Sequence, residues 1–365
     1  MAAVRMAALA LGRRWGLVFP PRFQRRPERP LPMPVNRRQI LSIAASATLL
    51  PALGHAQGAT PRLRRSGDAD VVFPKPGRRA WAEQVRHLNI ALMGGENEAD
   101  RLARFEGYRA LMQDTFGIPV RTLPASDYAG AIQAFDAKQV EIASLGSTAY
   151  AAAWMETKGG VEPLVVPEEE DGSIYYRAVM VARADSGIAD LAGMKGRSLA
   201  WADPNSSSGY LVPRTALRRQ GIDVNSYFSR TGFAGGHEQG VVAVLQKQYD
   251  AACTWASGLG DESTGFTRGN LRAMVEKGML KMSDIRVIWT SEPIATGPIT
   301  VRADLPAEAK EDLKLFFLAL PKAHPDIYRQ ITRGPGTGYR EGRHEDYEIF
   351  IEMRREEAAA RRRRD

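Results

Sequence analysis

An α/β fold of two lobes joined by two crossing segments is predicted by three features of this 365-residue chain. Short apolar runs suited to strands alternate with longer runs whose apolar residues recur at helical spacing, as mostly parallel sheets with crossover helices require. The alternation runs through two cycles separated by a long apolar run at Tyr175 to Val181. The chain is also long enough for two lobes with separate cores and additional end segments.

The folded part is preceded by an address. Asn36-Arg37-Arg38-Gln39-Ile40-Leu41 leads into an uncharged Ala- and Leu-rich stretch to Leu53, then small residues, Gly54 and Ala56, flank His55 before a cut. A basic start, a short apolar middle and a small-residue exit define a secretory signal, and the paired arginines resemble a twin-arginine signal. Because 32 residues precede Met33, Met33 is expected to be the start and residues 1–32 an upstream extension. No cysteine follows the cut, so a lipoprotein anchor is not expected. Residues 57–86, rich in Arg, Gly and Pro without periodicity, are expected to be a flexible linker.

The first cycle opens with strand Leu88 to Met93, which ends at Gly94-Gly95, and a helix marked by Leu102, Phe105, Tyr108, Leu111 and Met112. Strand Val120 to Leu123, helix Asp127 to Ala137, strand Val140 to Leu145 and a helix from Ser147 follow. The second cycle holds strand Ser198 to Ala202, helix Gly209 to Arg219, strand Thr231 to Ala234, helix Glu238 to Gln248 and strand Asp250 to Trp255. Crossing segments are expected near residues 176–186 and 289–300. Lobe one then comprises 87–182 and 294–365, and lobe two 183–293.

Composition narrows the function. The net charge of +8 is concentrated at the front: residues 1–56 hold nine of the 50 Lys+Arg and one of the 42 Asp+Glu, leaving 41 of each in residues 57–365. A formally neutral folded part argues against nucleic acid as partner. Cys253 is the only cysteine, so neither an intramolecular disulfide nor a Cys-based metal cage can form. There is no Gly-x-Ser-x-Gly elbow, Walker loop or His-Glu-x-x-His, and the histidines are too few for a metal site; neither metal nor cofactor is expected.

The informative stretch is Asp203-Pro-Asn-Ser-Ser-Ser-Gly-Tyr-Leu-Val-Pro213. It leaves a strand, passes three serines and a glycine, and opens a helix with Pro213 in its first turn, where proline is tolerated. Free N–H groups and the positive dipole end of a helix attract an anion, and Ser206, Ser207 and Ser208 add hydroxyl donors suited to a tetrahedral oxyanion. A lone serine there would be an ordinary cap; three in succession exceed that need. Gly235-Gly236-His237 opens the next helix, so His237 could join the same anion and favour binding as pH falls. Ser147 and Thr148 form a third strand-to-helix turn with hydroxyls, and Tyr128 and Tyr176 are polar aromatics at possible cleft positions.

Asp127-Tyr-Ala-Gly130 leading to Val140-Glu-Ile-Ala143, the serine stretch 203–213, Gly236-His-Glu238 and Gln246-Lys-Gln-Tyr-Asp250 stand in an order that resembles the substrate-binding components of phosphonate ABC transporters, with their phosphite- and phosphate-binding relatives. The resemblance runs from about Leu88 to about Arg302. It implies a type II periplasmic-binding-protein fold closing over a small phosphorus oxyanion, an ABC permease and its ATPase as partners, a periplasmic location and action as a monomer. It further implies that Ser206, Ser207, Ser208 and His237 hold the phosphonate oxygens while Tyr128 and Tyr176 line the wall. Members that bind aminoethylphosphonate place carboxylates where this chain has Ser257 and Gly297, so weak binding of aminoalkylphosphonates is expected unless Asp261 or Glu262 replaces the charge. A receptor for another small anion that feeds a sensor, and a cytoplasmic enzyme on the same fold, are the alternatives.

Overall fold

In the computed structural model, residues 62–93, 98–332 and 336–362 are described. The extension, the export signal, the start of the linker and Gly94-Gly95 lie outside them. In chain order the first lobe begins with β1 (Leu88–Leu92), α1 (Glu98–Phe116), β2 (Val120–Pro124), α2 (Tyr128–Asp136), β3 (Ile142–Ser144), α3 (Ser147–Glu156) and β4 (Val161–Glu168). The second lobe holds β5 (Tyr175–Arg183), β6 (Ser198–Trp201), α4 (Val212–Arg219), α5 (Val224–Tyr227), β7 (Arg230–Phe233), α6 (His237–Leu245), β8 (Ala251–Ala256), α7 (Asn270–Glu276), β9 (Ile285–Thr290) and β10 (Ile294–Ala295). The chain then returns to the first lobe with β11 (Ile299–Arg302), α8 (Ala307–Ala323), α9 (Pro325–Thr332), β12 (Gly338–Glu341) and α10 (Glu348–Arg362).

The first sheet has the order β12-β4-β11-β3-β1-β2, and the second β10-β5-β8-β6-β7 with β9 also on β5. Both are mixed instead of mostly parallel. The helix-linked pairs β1 with β2 and β3, and β6 with β7 and β8, are parallel, whereas the strands next to the crossings pair antiparallel. A chain that leaves a lobe and re-enters it reverses direction there, a reversal that periodicity does not record.

The sheets change hands at residues 169–174, between β4 and β5, and at 296–298, between β10 and β11. The first lies before the segment expected at 176–186, so residues 175–182, assigned to lobe one from the sequence, stand in the second sheet. The whole of β5 belongs to the second sheet because its first residues pair with β10, Tyr176 opposite Ile294 and Tyr175 opposite Ala295.

Aromatic packing fixes the first lobe. Phe116, Phe316 and Phe317 are fully buried between the sheet and helices α1 and α8, with Phe116 and Phe316 centroids 5.6 Å apart. Each such ring contributes roughly 1.5–3 kcal/mol relative to exposure. On the other face α3 and α10 bury Tyr150 against Tyr347, 4.8 Å between centroids.

The segment expected to be a flexible linker is, from Arg62 onward, part of this lobe. Ser66 N donates to Tyr339 O (2.7 Å) and Ser66 Oγ to Leu318 O (2.6 Å). Arg64 pairs with Glu311 (2.6 Å) and Glu341 (2.8 Å), and buried Trp81 donates to Asp312 (2.8 Å). Irregular backbone anchored by single side chains carries no period, which is why composition alone suggested a linker.

Helix α10 continues from a turn in which the Tyr347 hydroxyl donates to Thr296 O (2.9 Å), in the return crossing. It lies on α3 and reaches the second lobe, where Glu357 pairs with Arg214 and Glu356 with Arg218 (3.2 Å). Arg354 donates to Thr148 O (2.6 Å) and to Asn205 Oδ1 (2.8 Å).

Candidate functional site

The serine turn follows β6 and does not begin as an α-helix. Residues Ser207–Leu211 form one π-helical turn, with Leu211 N bonded to Ser206 O (3.1 Å), before α4 takes over with Pro213 in its first turn. Such wide turns concentrate at functional sites because they turn several side chains and N–H groups toward one point. Ser206 caps the turn by accepting from Gly209 N (3.0 Å). The three serines are buried, yet all line a cavity of about 220 Å³ between the lobes.

Gly209 allows the turn to sit where it does. A Cβ there would lie 2.4 Å from Ala202 Cβ, 2.8 Å from Ser206 Oγ and 3.0 Å from His237 Cε1. His237, the first residue of α6, brings Nε2 to 3.1 Å from Ser206 Oγ and also lines the cavity. The serine turn and the histidine are therefore one cluster.

The first lobe meets this cluster through α3. Thr148 N donates to Ser207 Oγ (3.0 Å), the two hydroxyls are 3.1 Å apart, and Thr148 Oγ1 donates to Asn205 O (2.6 Å). Ser147 and Thr148 are not lining residues of the cavity: Ser147 Oγ is bonded to Ala295 O beside the return crossing, and Thr148 braces Ser207 from behind. Tyr128 and Tyr176 do line it. Burial pushes the Tyr176 phenol up, while the hydroxyls of Ser208 and Ser207 and the charge of Arg268 oppose that rise. Its ring meets Trp255 edge to face at 5.7 Å.

The two positions at which carboxylates were sought behave differently. Ser257 is buried in its own loop, with Oγ 2.9 Å from Thr267 Oγ1 and accepting from Leu259 N (3.3 Å) and Arg268 N (3.3 Å). Gly297 lines the cavity, but a Cβ there would stand 1.9 Å from Leu145 O and 2.6 Å from Gly146 Cα, so no side chain fits. Asp261 and Glu262 are exposed, and Asp261 is occupied in capping its own turn through Ser263 N (2.7 Å). Neither lines the cavity.

Two arginines were missed. Arg268, 6% exposed, lines the cavity and forms a buried ion pair with Glu169, the residue that leaves β4 for the second lobe. Arg101, 3% exposed, stands at the wall of an adjoining chamber and donates to Met93 O (2.6 Å). The Glu168-Glu169 pair before a crossing was a usable signal for the first; the second had none. Lys277, which caps the end of α7, lies 2.8 Å from Glu238 of α6 and 3.7 Å from Asp100 of α1. Among the described residues the cavity is thus lined by hydroxyls, an imidazole and a guanidinium, without a carboxylate. That set recognises an anion.

The family described as "ABC transporter, phosphonate, periplasmic substrate-binding protein" matches residues 90–347. The chain is 31% identical over 240 residues to the phosphonates-binding periplasmic protein of Escherichia coli, covering 65% of this chain and 67% of that one. It is 28% identical over 243 residues to the phosphate-import protein PhnD of Mycolicibacterium smegmatis, covering 63% of this chain and 70% of that one. Among solved structures, a binding component of an ABC phosphonate transporter from Pseudomonas aeruginosa aligns with a TM-score of 0.62 at 24% identity, over 73% of this chain and 85% of that one. PhnD1 from Prochlorococcus marinus, solved with methylphosphonate, aligns with 0.63 at 17% identity, over 74% and 98%. Both structures share the fold.

Proposed function

This chain belongs to the family of periplasmic substrate-binding proteins of phosphonate ABC transporters, and from that premise we propose that it captures a phosphonate or closely related phosphorus oxyanion between its lobes and delivers it to the permease and ATPase of an importer. The observation that carries this function is the cluster of Ser206, Ser207 and Ser208 with His237 on a single inter-lobe cavity. We assign the oxyanion to those four residues, with Tyr128 and Tyr176 as walls. Thr148 acts by holding Ser207, and Ser147 by tying α3 to the return crossing. The relatives named for phosphonates and phosphate, and the neighbour solved with methylphosphonate, support the ligand class.

Ser208 gives the cleaner test, because Ser206 caps the turn and Ser207 is bonded to Thr148. Titration calorimetry on protein freed of ligand is expected to show binding of methylphosphonate, phosphite or phosphate. Ser208→Ala should weaken the tightest of them about 10- to 100-fold, the range for a hydrogen bond to a charged group, with an unchanged melting temperature. Unaltered affinity in that variant would remove the serine turn from the ligand.

We assign export to the Arg37-Arg38 signal, with cleavage after Ala56. Periplasmic protein should then have a mass that begins at Gln57, and replacing both arginines with lysine should abolish its appearance there. Normal export of the double-lysine chain would rule out the twin-arginine route.

A further inference from the structure

We propose that the chamber adjoining the serine cavity is a second subsite for a substituent that is apolar along its length and ends in a carboxylate, so that the ligand is a carboxyalkyl phosphonate. The inference rests on the phosphonate assignment above and extends it to the rest of the ligand.

The chamber, of about 270 Å³, opens from the same residues that bound the serine cavity, among them Tyr128, His237, Trp255 and Arg268. Together the two reach the size of ordinary small-molecule sites, far more than a methyl group needs. Its walls inside the first lobe are mainly apolar, including Ile90, Phe105, Ile142 and Phe317. Extended apolar substituents gain from burial there at roughly 25 cal/mol per Å².

The charged part of the chamber is cationic: Arg101, Arg104 and Arg268 line it together with the neutral polar Ser144, Asn270 and Thr332, and among the described residues no Asp or Glu does. Arg101 donates through Nη1 to Met93 O and through Nη2 to Ala125 O (3.4 Å), and its Nη2 lies 3.9 Å from the exposed Glu98 carboxylate. Arg268 uses Nε and Nη2 on Glu169, which leaves Nη1. A guanidinium at a chamber wall pairs a ligand carboxylate through charge-assisted hydrogen bonds. In the serine cavity next to it, steric exclusion of any side chain at Gly297 leaves no room for a carboxylate at that position. Among the described lining residues an ammonium-bearing substituent would meet guanidiniums and no carboxylate.

The experiment compares methylphosphonate, butylphosphonate, 4-phosphonobutyrate, 3-phosphonopropionate and 2-aminoethylphosphonate by calorimetry on the intact protein, at one ionic strength. At least one phosphonocarboxylate should bind about tenfold or more tightly than butylphosphonate, and the amino compound should be weakest. Arg101→Met should bring the ratio between 4-phosphonobutyrate and butylphosphonate toward one. If that variant does not fold, the ranking on the unaltered protein decides alone. Equal affinity for carboxylate and alkyl ligands, or preference for the amine, overturns the subsite; methylphosphonate binding that still depends on Ser208 would leave the phosphonate assignment standing. Failure of every phosphonate to bind overturns both.

Discussion

Glu169→Gln should lower the unfolding free energy by about 3–5 kcal/mol, the usual penalty when one partner of a buried ion pair is removed. The carboxylate is fully buried and bonded to both Nε and Nη2 of Arg268, itself nearly inaccessible. Its removal leaves a guanidinium in a low-dielectric site beside Trp255, whose ring centroid is 5.8 Å away and recovers only a small part of the loss. Denaturant unfolding gives the number directly. The double replacement Glu169→Leu with Arg268→Met should recover most of it, because an apolar pair of similar volume does not pay the desolvation of two charges. A single variant within 1 kcal/mol of the parent would mean that the pair is hydrated in solution.

Gly209→Ala should weaken phosphonate binding by about 100-fold or more. The new methyl has no room: Ala202 Cβ belongs to residues that follow β6 and cannot retreat, while Ser206 Oγ and His237 Cε1 close the remaining space. Relief requires the π-helical turn to lift, which separates Ser206 from His237 and costs roughly 1–3 kcal/mol in packing as well. Calorimetry and thermal unfolding on the same sample separate the two effects. Retained affinity with lowered stability would show that the turn adapts without moving its donors.

The strand and helix cycle was readable because each element carries its own period, and the grouping of Ser206 to Ser208 with His237 was readable because they stand at starts of neighbouring helices that follow parallel strands. What escaped has a common physical cause. Arg101 stands beside Leu102 on a helix whose apolar spacing marks the buried face, so it reads as a solvent residue; its long side chain nevertheless turns inward to the carbonyl of Met93. Arg268 lies in an irregular loop where nothing periodic signals burial, and only Glu169, 99 residues away in sequence, explains it. The same holds for residues 62–86, held by Trp81 and Arg64 at single points. Ser147 and Thr148 occupy the expected turn, but their hydroxyls face Ala295 and Asn205, and the direction of a side chain at a helix start depends on which neighbour it meets.

Helix α10 acts on the lobes as a lever. Its fulcrum is at Tyr347, on the return crossing, and its load at Glu356 and Glu357, nine and ten residues further on, or roughly 14 Å along a helix rising 1.5 Å per residue. A hinge rotation of about 5° displaces a point that far out by roughly 1 Å, enough to carry the 2.8 Å bond between Arg354 and Asn205 beyond bonding range. Small rotations are therefore resisted while larger ones, once those bonds have broken, are not. Resistance to the first step of any such rotation is therefore set by side chains that lie outside the cavity and need not touch a ligand.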